Sequence, residues 1–93
     1  MTEEPIENRR KRLIFRSWHR GTREMDIIMG SFADANVPGF DDAQLMQYEE
    51  ILNHPDPDVY DWVAGRTPVP ANFMNAVMGK LLEHRPHRSG CEG

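Results

Sequence analysis

The residue types best suited to catalysis or metal binding are sparse in this 93-residue sequence. They comprise four histidines and one cysteine, namely His19, His54, His84, His87 and Cys91. None stands at a spacing typical of a zinc site, and Pro86 is expected to end any helix between the last two histidines. The sequence also lacks a nucleophile elbow, a phosphate-binding loop and a dinucleotide fingerprint. Adjacent carboxylates such as Asp41 and Asp42 are typical of a helix cap, so the sequence indicates no catalytic or metal-binding set.

Charge is distributed in three blocks along the chain, although the net charge is only −4. Residues 1–23 hold seven Arg or Lys and three acids, residues 24–65 hold ten acids and no Arg or Lys, and residues 66–93 hold four bases and two acids. The basic cluster 9–23 suits phosphates, an acidic protein partner, or the chain's own acidic middle. Because few aromatic residues interleave the basic ones, we expect a protein partner and no nucleic acid.

Length and hydrophobic periodicity predict one small all-α domain. A chain of this size builds one modest core. Helical spacing of apolar residues recurs, whereas strand-like alternation and membrane-length apolar runs are missing. We predict a compact five-helix bundle over residues 8–84, between a flexible tail 1–7 and a disordered tail 85–93. With one cysteine and no secretory signal, we expect a bacterial cytoplasmic protein, or a mitochondrial matrix protein in processed form.

Capping signals predict where most of these helices begin and end. The first covers about 6–18, with Gly21 as a left-handed C-cap, and the second covers about 22–32 with Thr22 as N-cap. Asp41 and Gln44 form a capping box for the third, which ends before residue 54. The fourth begins with Asp56 as N-cap and ends at Gly65, and the fifth covers about 71–84. The core is predicted to include five methionines: Met25, Met29, Met46, Met74 and Met78.

The segment 19–26 joins the predicted first and second helices at the boundary between basic and acidic residues. One interpretation is a helix–glycine–helix turn with capping charges. The other is a charged docking surface, in which Gly21 allows close approach and Arg20 and Arg23 offer planar donors to carboxylates. Glu24 would either hold an arginine or accept a hydrogen bond from a partner. Both interpretations are compatible with the residues alone.

Two blocks of sequence resemble the succinate dehydrogenase assembly-factor family, also called flavinylation factors. The first is Arg20-Gly21-x-x-Glu24, followed by Asp26 and a helix that ends in Ser31-Phe32-Ala33. The second is Leu52-x-x-Pro55-Asp56-Pro57-Asp58-x-x-x-Trp62. The resemblance covers roughly residues 8–84. We interpret the second block as structural, with the Asp-Pro-Asp run starting a helix and Trp62 packing beneath the bend.

The resemblance implies a non-catalytic five-helix bundle that binds the flavoprotein subunit of succinate dehydrogenase. Such a protein promotes covalent attachment of FAD to a histidine of that subunit, with the fumarate reductase flavoprotein as a second client. FAD would belong to the client, and this chain would hold no cofactor. We expect it to be a monomer when free and not to insert into a membrane.

The same resemblance implies a set of partner-binding residues. Arg20, Gly21 and Glu24 match the family motif, and the neighbouring candidates are Arg16, His19, Arg23 and Asp26. His19 stands where relatives commonly carry a basic residue. The alternative is a small regulatory or antitoxin-like binding module that uses its basic first helix.

Overall fold

Five α-helices and two short 3₁₀-helices account for most of residues 4–84, the part of the chain that the computed structural model describes. The α-helices are α1 (Ile6–Trp18), α2 (Arg23–Asn36), α3 (Asp42–Leu52), α4 (Asp56–Ala64) and α5 (Ala76–Glu83). The 3₁₀-helices are Val37–Gly39 and Ala71–Phe73, and no strand occurs among the described residues. The all-α, five-helix prediction is therefore confirmed. The predicted C-terminal tail 85–93, with Cys91, lies outside the described residues.

Helix α1 has the predicted bounds, but its end differs from the predicted one. Because it begins at Ile6, residues 6 and 7 lie in the helix rather than in the tail to which they were assigned. The C-cap is His19, with φ −127°. Gly21 does adopt a positive φ of +120°, but it lies beyond the cap and forms the bend that leads into α2.

Helix α2 starts as predicted and ends later. The Thr22 hydroxyl accepts from the backbone N–H of Met25 at 3.3 Å, which confirms the predicted N-cap. The helix continues to Asn36, four residues past the predicted end. Ala33 is fully buried, and the Asn36 side chain donates to the carbonyl of Phe32 at 3.0 Å, so the extra turn is packed and hydrogen-bonded. Pro38 then follows in the 3₁₀-helix.

Helix α3 is capped as predicted. The Asp41 carboxylate accepts from the N–H of Gln44 at 2.9 Å, and the Gln44 side chain accepts from the N–H of Asp41 at 3.0 Å. Phe40 and Leu45, at the two hydrophobic-staple positions, are both buried. The capping box and the staple thus fix the angle at which the chain enters α3.

Helix α4 corrects one predicted cap. The N-cap is Pro55, and Asp56 is already helical and makes no capping bond. Its carboxylate accepts from Arg20 instead, 36 positions away in sequence. At the other end Gly65 adopts the left-handed conformation, with φ +79°, as predicted.

Helix α5 is shorter than predicted because the helix predicted over 71–84 is interrupted near its start. Residues 71–73 form a 3₁₀-turn, and Asn75 then caps a new helix by accepting from the N–H of Met78 at 2.9 Å. The break leaves Met74 52% exposed, and Met46 on α3 is 56% exposed. Both were predicted to be core residues, and both predictions are wrong. Met25, Met29 and Met78 are buried as expected.

The core lies between α1, α2 and α3, and α5 packs against it through α3. The Phe32 ring contacts those of Phe40 and Tyr48, with centroids 6.2 and 5.5 Å apart. The Tyr48 hydroxyl hydrogen-bonds to the buried hydroxyl of Ser17 and donates to the carbonyl of Met29 at 3.3 Å. These contacts tie α3 to both helices that flank the bend.

A second contact sets how closely α1 and α2 approach each other. The Trp18 indole lies directly over Gly30, where a Cβ atom would overlap its ring. The indole N–H also donates to Asp34 at 3.3 Å.

Within residues 4–84, no helix combines the length and apolar character needed to cross a membrane.

Candidate functional site

The bend between α1 and α2 is held from within by Asp26. One carboxylate oxygen, Oδ1, accepts from the backbone N–H of Arg20 at 2.6 Å and from that of Gly21 at 3.2 Å. The φ of +120° at Gly21 is a conformation that residues with a side chain rarely adopt. The glycine and the carboxylate together give the bend a defined shape, so Asp26 serves here as a structural residue.

Arg20 connects this bend to α4. Its Nε and one terminal nitrogen donate to Oδ1 of Asp56 at 2.9 and 2.6 Å, and the same nitrogen lies 3.4 Å from the carbonyl of His54. The Arg20 side chain is only 10% exposed. The pair joins the two sequence blocks, Arg20-Gly21-x-x-Glu24 and Asp56-Pro57-Asp58, by a side-chain contact that the sequence did not predict.

Trp62 packs beside the contact between Arg20 and Asp56. It is buried, and its ring lies 4.9 Å from that of His54 and 5.4 Å from that of Phe73. The His54 carbonyl accepts a hydrogen bond from Arg20, so Trp62 contacts the bend indirectly, by packing against His54. The structural interpretation of the second block agrees with this packing.

Arg23 and Glu24 differ from the other motif residues. Both are exposed at the start of α2, and among residues 4–84 neither makes a side-chain hydrogen bond or ion pair. A cation and an anion are thus presented side by side on a braced turn. Of the motif residues, these two have side chains available for a binding partner.

Arg16 and His19 lie on the α1 side of the bend. Arg16 donates to the side chain of Asn53 at 2.8 Å and lies 3.8 Å from Glu49. His19 donates from Nδ1 to the carbonyl of Phe15 at 2.7 Å, and its ring stacks on the Phe15 ring at 4.0 Å. Arg16 thus links α1 to α3, whereas His19 remains exposed at the edge of the bend.

Most arginines of α1 are neutralised by the chain's own acids. Glu49 lies within 4 Å of Arg9, Arg12 and Arg16, and Arg12 also pairs with Glu4 at 2.9 Å. The hydrogen bond from Arg12 lowers the pKa of the Glu4 carboxyl. Most arginines of α1 therefore pair with acidic residues of the same chain, which is the third of the interpretations of the basic cluster.

Shallow depressions flank the bend on both sides. One, of about 660 Å³, is lined by His19, Gly21, Thr22, Arg23, Asp26 and Ile27. The other, of about 250 Å³, is lined by Thr22, Glu24, Met25, Asp56, Pro57 and Tyr60. Sequence reasoning did not identify Ile27 or Tyr60. The signal for Ile27 was its i+4 spacing from Arg23, which places both on one face of α2.

Residues 4–84 contain no group of three or more His, Cys, Asp or Glu side chains arranged to hold a metal ion. The arrangement at the bend consists of a fixed backbone, a glycine without side-chain cover, and two opposite charges that have no partner within the described part of the chain. Such a surface is suited to recognising another macromolecule by shape and charge. Fold and site together define a small helical protein with a braced, charged surface at the bend between α1 and α2.

Comparison with known proteins places the chain in a family. The family described as "Flavinator of succinate dehydrogenase" matches residues 11–85. The chain is 38% identical to the FAD assembly factor SdhE of Acetobacter pasteurianus over 90 residues, which are 97% of this chain and 83% of that protein. It therefore belongs to the flavinator of succinate dehydrogenase family, and the resemblance seen in the two sequence blocks is confirmed.

Mitochondrial relatives match over most of this chain. The mitochondrial succinate dehydrogenase assembly factor 2 of Dictyostelium discoideum is 39% identical over 79 residues, which are 85% of this chain and 55% of that protein. The protein of the same name from Debaryomyces hansenii is 35% identical over 85 residues, which are 88% of this chain and 60% of that protein. The chain thus spans little more than half the length of these two relatives.

Proposed function

We propose that this chain binds the flavoprotein subunit of succinate dehydrogenase and promotes covalent attachment of FAD to it. Family membership supports the class of function, since the family and its relatives are described as flavinators and assembly factors. The observation that carries the proposal is the pair of exposed charges, Arg23 and Glu24, which have no partner within residues 4–84 and lie on a bend that Asp26 and Arg20 hold in shape. A rigid surface of this kind loses little conformational entropy on docking.

The proposed mechanism is positioning rather than catalysis by this chain. The bend docks on the immature flavoprotein and favours a conformation in which the flavin and the acceptor histidine stand in attack geometry. The client carries out the covalent chemistry and keeps the FAD. On this chain, Arg23 and Glu24 contact the client directly, while Arg20, Gly21 and Asp26 keep those two side chains in place.

Several finer assignments belong to the same proposal. Arg16 and His19 lie at the edge of the docking surface, where the exposed His19 would contact the client more readily than the half-buried Arg16. The fumarate reductase flavoprotein is a second client, and the free protein is a monomer. The compartment is the one in which the flavoprotein is assembled: the cytoplasm of a bacterium, or the matrix of a mitochondrion.

The test is to delete the gene and follow covalent flavin on the flavoprotein subunit by in-gel fluorescence, with the subunit quantified by immunoblotting. We expect fluorescence per subunit to fall on deletion and to return when the gene is restored. Unchanged fluorescence in the deletion strain would contradict the proposal. Retention of the purified protein on DNA at moderate salt, without co-purification of the flavoprotein, would favour the alternative of a regulatory binding module.

A further inference from the structure

Phe15 is the most exposed large apolar side chain of the described region, at 63%. It projects from the last turn of α1, and the other exposed residues of this helix are mostly charged. Among residues 4–84, its one ring contact is the stack on His19, at 4.0 Å with an angle of 23° between the ring planes. Aromatic side chains, Phe among them, are enriched at protein–protein interfaces relative to the rest of the protein surface.

A second exposed apolar residue lies on α2, in a depression whose lining includes His19, the stacking partner of Phe15. Ile27 on α2 is 41% exposed and lines the larger depression together with His19 and Arg23. Phe15 and His19 are an i,i+4 pair on α1, and Arg23 and Ile27 are an i,i+4 pair on α2. Each helix thus brings one apolar side chain and one basic or protonatable side chain to the surface around Gly21.

We infer that Phe15 and Ile27 form an apolar anchor site, which extends the motif bend into a continuous docking surface for the flavoprotein client. The inference rests on the proposed function and adds residues outside the family motif. The matching client surface carries an apolar side chain that inserts between Phe15 and Ile27. It also carries a carboxylate that pairs with Arg23, the cation in this depression that has no partner among residues 4–84.

Charge and shape argue for this occupant. One oxygen of the Asp26 carboxylate accepts from two backbone N–H groups, whereas Arg23 in the same depression has no ion-pair partner among residues 4–84. A client carboxylate would pair with this cation. The depression also runs directly into Gly21, whose missing side chain leaves the backbone open to close approach.

The experiment measures binding of the purified protein to the succinate dehydrogenase flavoprotein subunit isolated without covalent flavin. Phe15→Ala and Ile27→Ala are each expected to weaken binding about tenfold, with the helical circular dichroism spectrum unchanged. The matched control is Met46→Ala on α3, which removes a similarly exposed apolar side chain (56%) and is expected to bind like the wild type. Phe15→Tyr keeps the ring and is expected to retain most of the affinity.

Wild-type affinity in both alanine variants would overturn the inference and leave the proposed function standing, because the unsubstituted chain would still bind the client. An equal loss in Met46→Ala would also overturn it, since the effect would then not be local to the bend. Failure of the wild-type chain to bind the flavoprotein would overturn the proposed function, and this inference with it.

Discussion

Arg20 and Asp56 form the contact that fixes the motif bend against the start of α4. Two nitrogens of the guanidinium group donate to one carboxylate oxygen at 2.9 and 2.6 Å, and the two side chains are 10% and 19% exposed. Charge-assisted hydrogen bonds of this length are stronger than neutral ones, and limited solvent access reduces their screening. A displacement of α4 would therefore also displace the bend and, with it, the side chains of Arg23 and Glu24.

Replacing Arg20 with alanine is expected to destabilise the fold as well as to impair flavinylation. Removal of the guanidinium leaves Asp56 partly buried without its partner, at a cost of about 1.5–3 kcal/mol in the free energy of unfolding. Asp56→Ala should cost a similar amount. The measurement is urea unfolding followed by circular dichroism.

The control for this pair is Arg66→Ala, because Arg66 is 67% exposed and lies 3.8 Å from Asp61. It should change the unfolding free energy by about 0.5 kcal/mol or less. In the double variant Arg20→Ala/Asp56→Ala, we expect less than the sum of the two single losses. Simple additivity would mean that Arg20 and Asp56 do not stabilise each other.

A substitution at Gly21 tests the shape of the bend separately from its charges. Gly21→Ala forces a side chain into φ +120°, which is expected to cost on the order of 1–3 kcal/mol. The added Cβ atom meets no neighbour within 4 Å, so the cost would come from the backbone rather than from a clash. We expect a lower thermal midpoint and a loss of flavinylation.

Gly79→Ala is the matched control, since its Cβ atom also meets nothing within 4 Å and its backbone is helical. It should stabilise the protein by about 0.5–1 kcal/mol. Equal responses of the two variants in a thermal melt would argue against strain at Gly21.

Local signals account for the parts of the fold that the sequence could predict. The capping box of Asp41 and Gln44, the Thr22 cap and the left-handed Gly65 each depend on residues a few positions apart. Short-range hydrogen bonds of this kind are little affected by the rest of the chain, and all three were predicted correctly.

Competition over long sequence distances explains the errors. Aspartate is a common N-cap residue, but the Asp56 carboxylate accepts hydrogen bonds from Arg20, 36 positions away in sequence. The break before α5 depends on the side chain of Asn75, and Met74 is consequently exposed rather than buried. Helical periodicity cannot distinguish a continuous helix from a 3₁₀-turn followed by a new cap, because the apolar spacing is similar in both.

The candidate site, like the fold, could be predicted from the sequence only in part. The motif residues were identified from sequence, but their separation into bracing and solvent-facing groups required the structure. Asp26 and Glu24 are both acids in the first turn of α2, and only the fold shows that one binds backbone N–H groups while the other is exposed.

Tyr48 is expected to make the fold sensitive to alkaline pH. Burial raises the pKa of its hydroxyl above the ordinary value of 10.0, despite the opposing hydrogen bond from Ser17. Between pH 10 and the higher pKa of the folded state, the unfolded chain loses a proton that the folded chain keeps. The unfolding free energy should therefore fall above pH 10, by up to about 1.4 kcal/mol per pH unit.

The check compares urea unfolding at pH 9 and pH 11 for the wild type and for Tyr48→Phe. The variant should be less stable at pH 9, by about 1 kcal/mol, because the Ser17 hydroxyl and the Met29 carbonyl lose a partner. It should also lose less stability between the two pH values. An identical pH dependence in both proteins would assign the alkaline effect to other groups.

Charge reversal at Arg23 or Glu24 should separate binding from folding. Both side chains are exposed and unpaired among residues 4–84, so Arg23→Glu and Glu24→Lys are expected to change the unfolding free energy by about 0.5 kcal/mol or less. Like charges placed against the client surface should nevertheless reduce covalent flavin per flavoprotein subunit about tenfold or more.

Matched reversals away from the bend are Lys80→Glu on α5 and Glu50→Lys on α3, both at exposed positions. They make the same changes in net charge and should leave flavinylation at the wild-type level, because the effect depends on position rather than on total charge. If Arg23→Glu and Glu24→Lys also support normal flavinylation, these two side chains do not contact the client. The docking surface would then have to be sought elsewhere on the bundle.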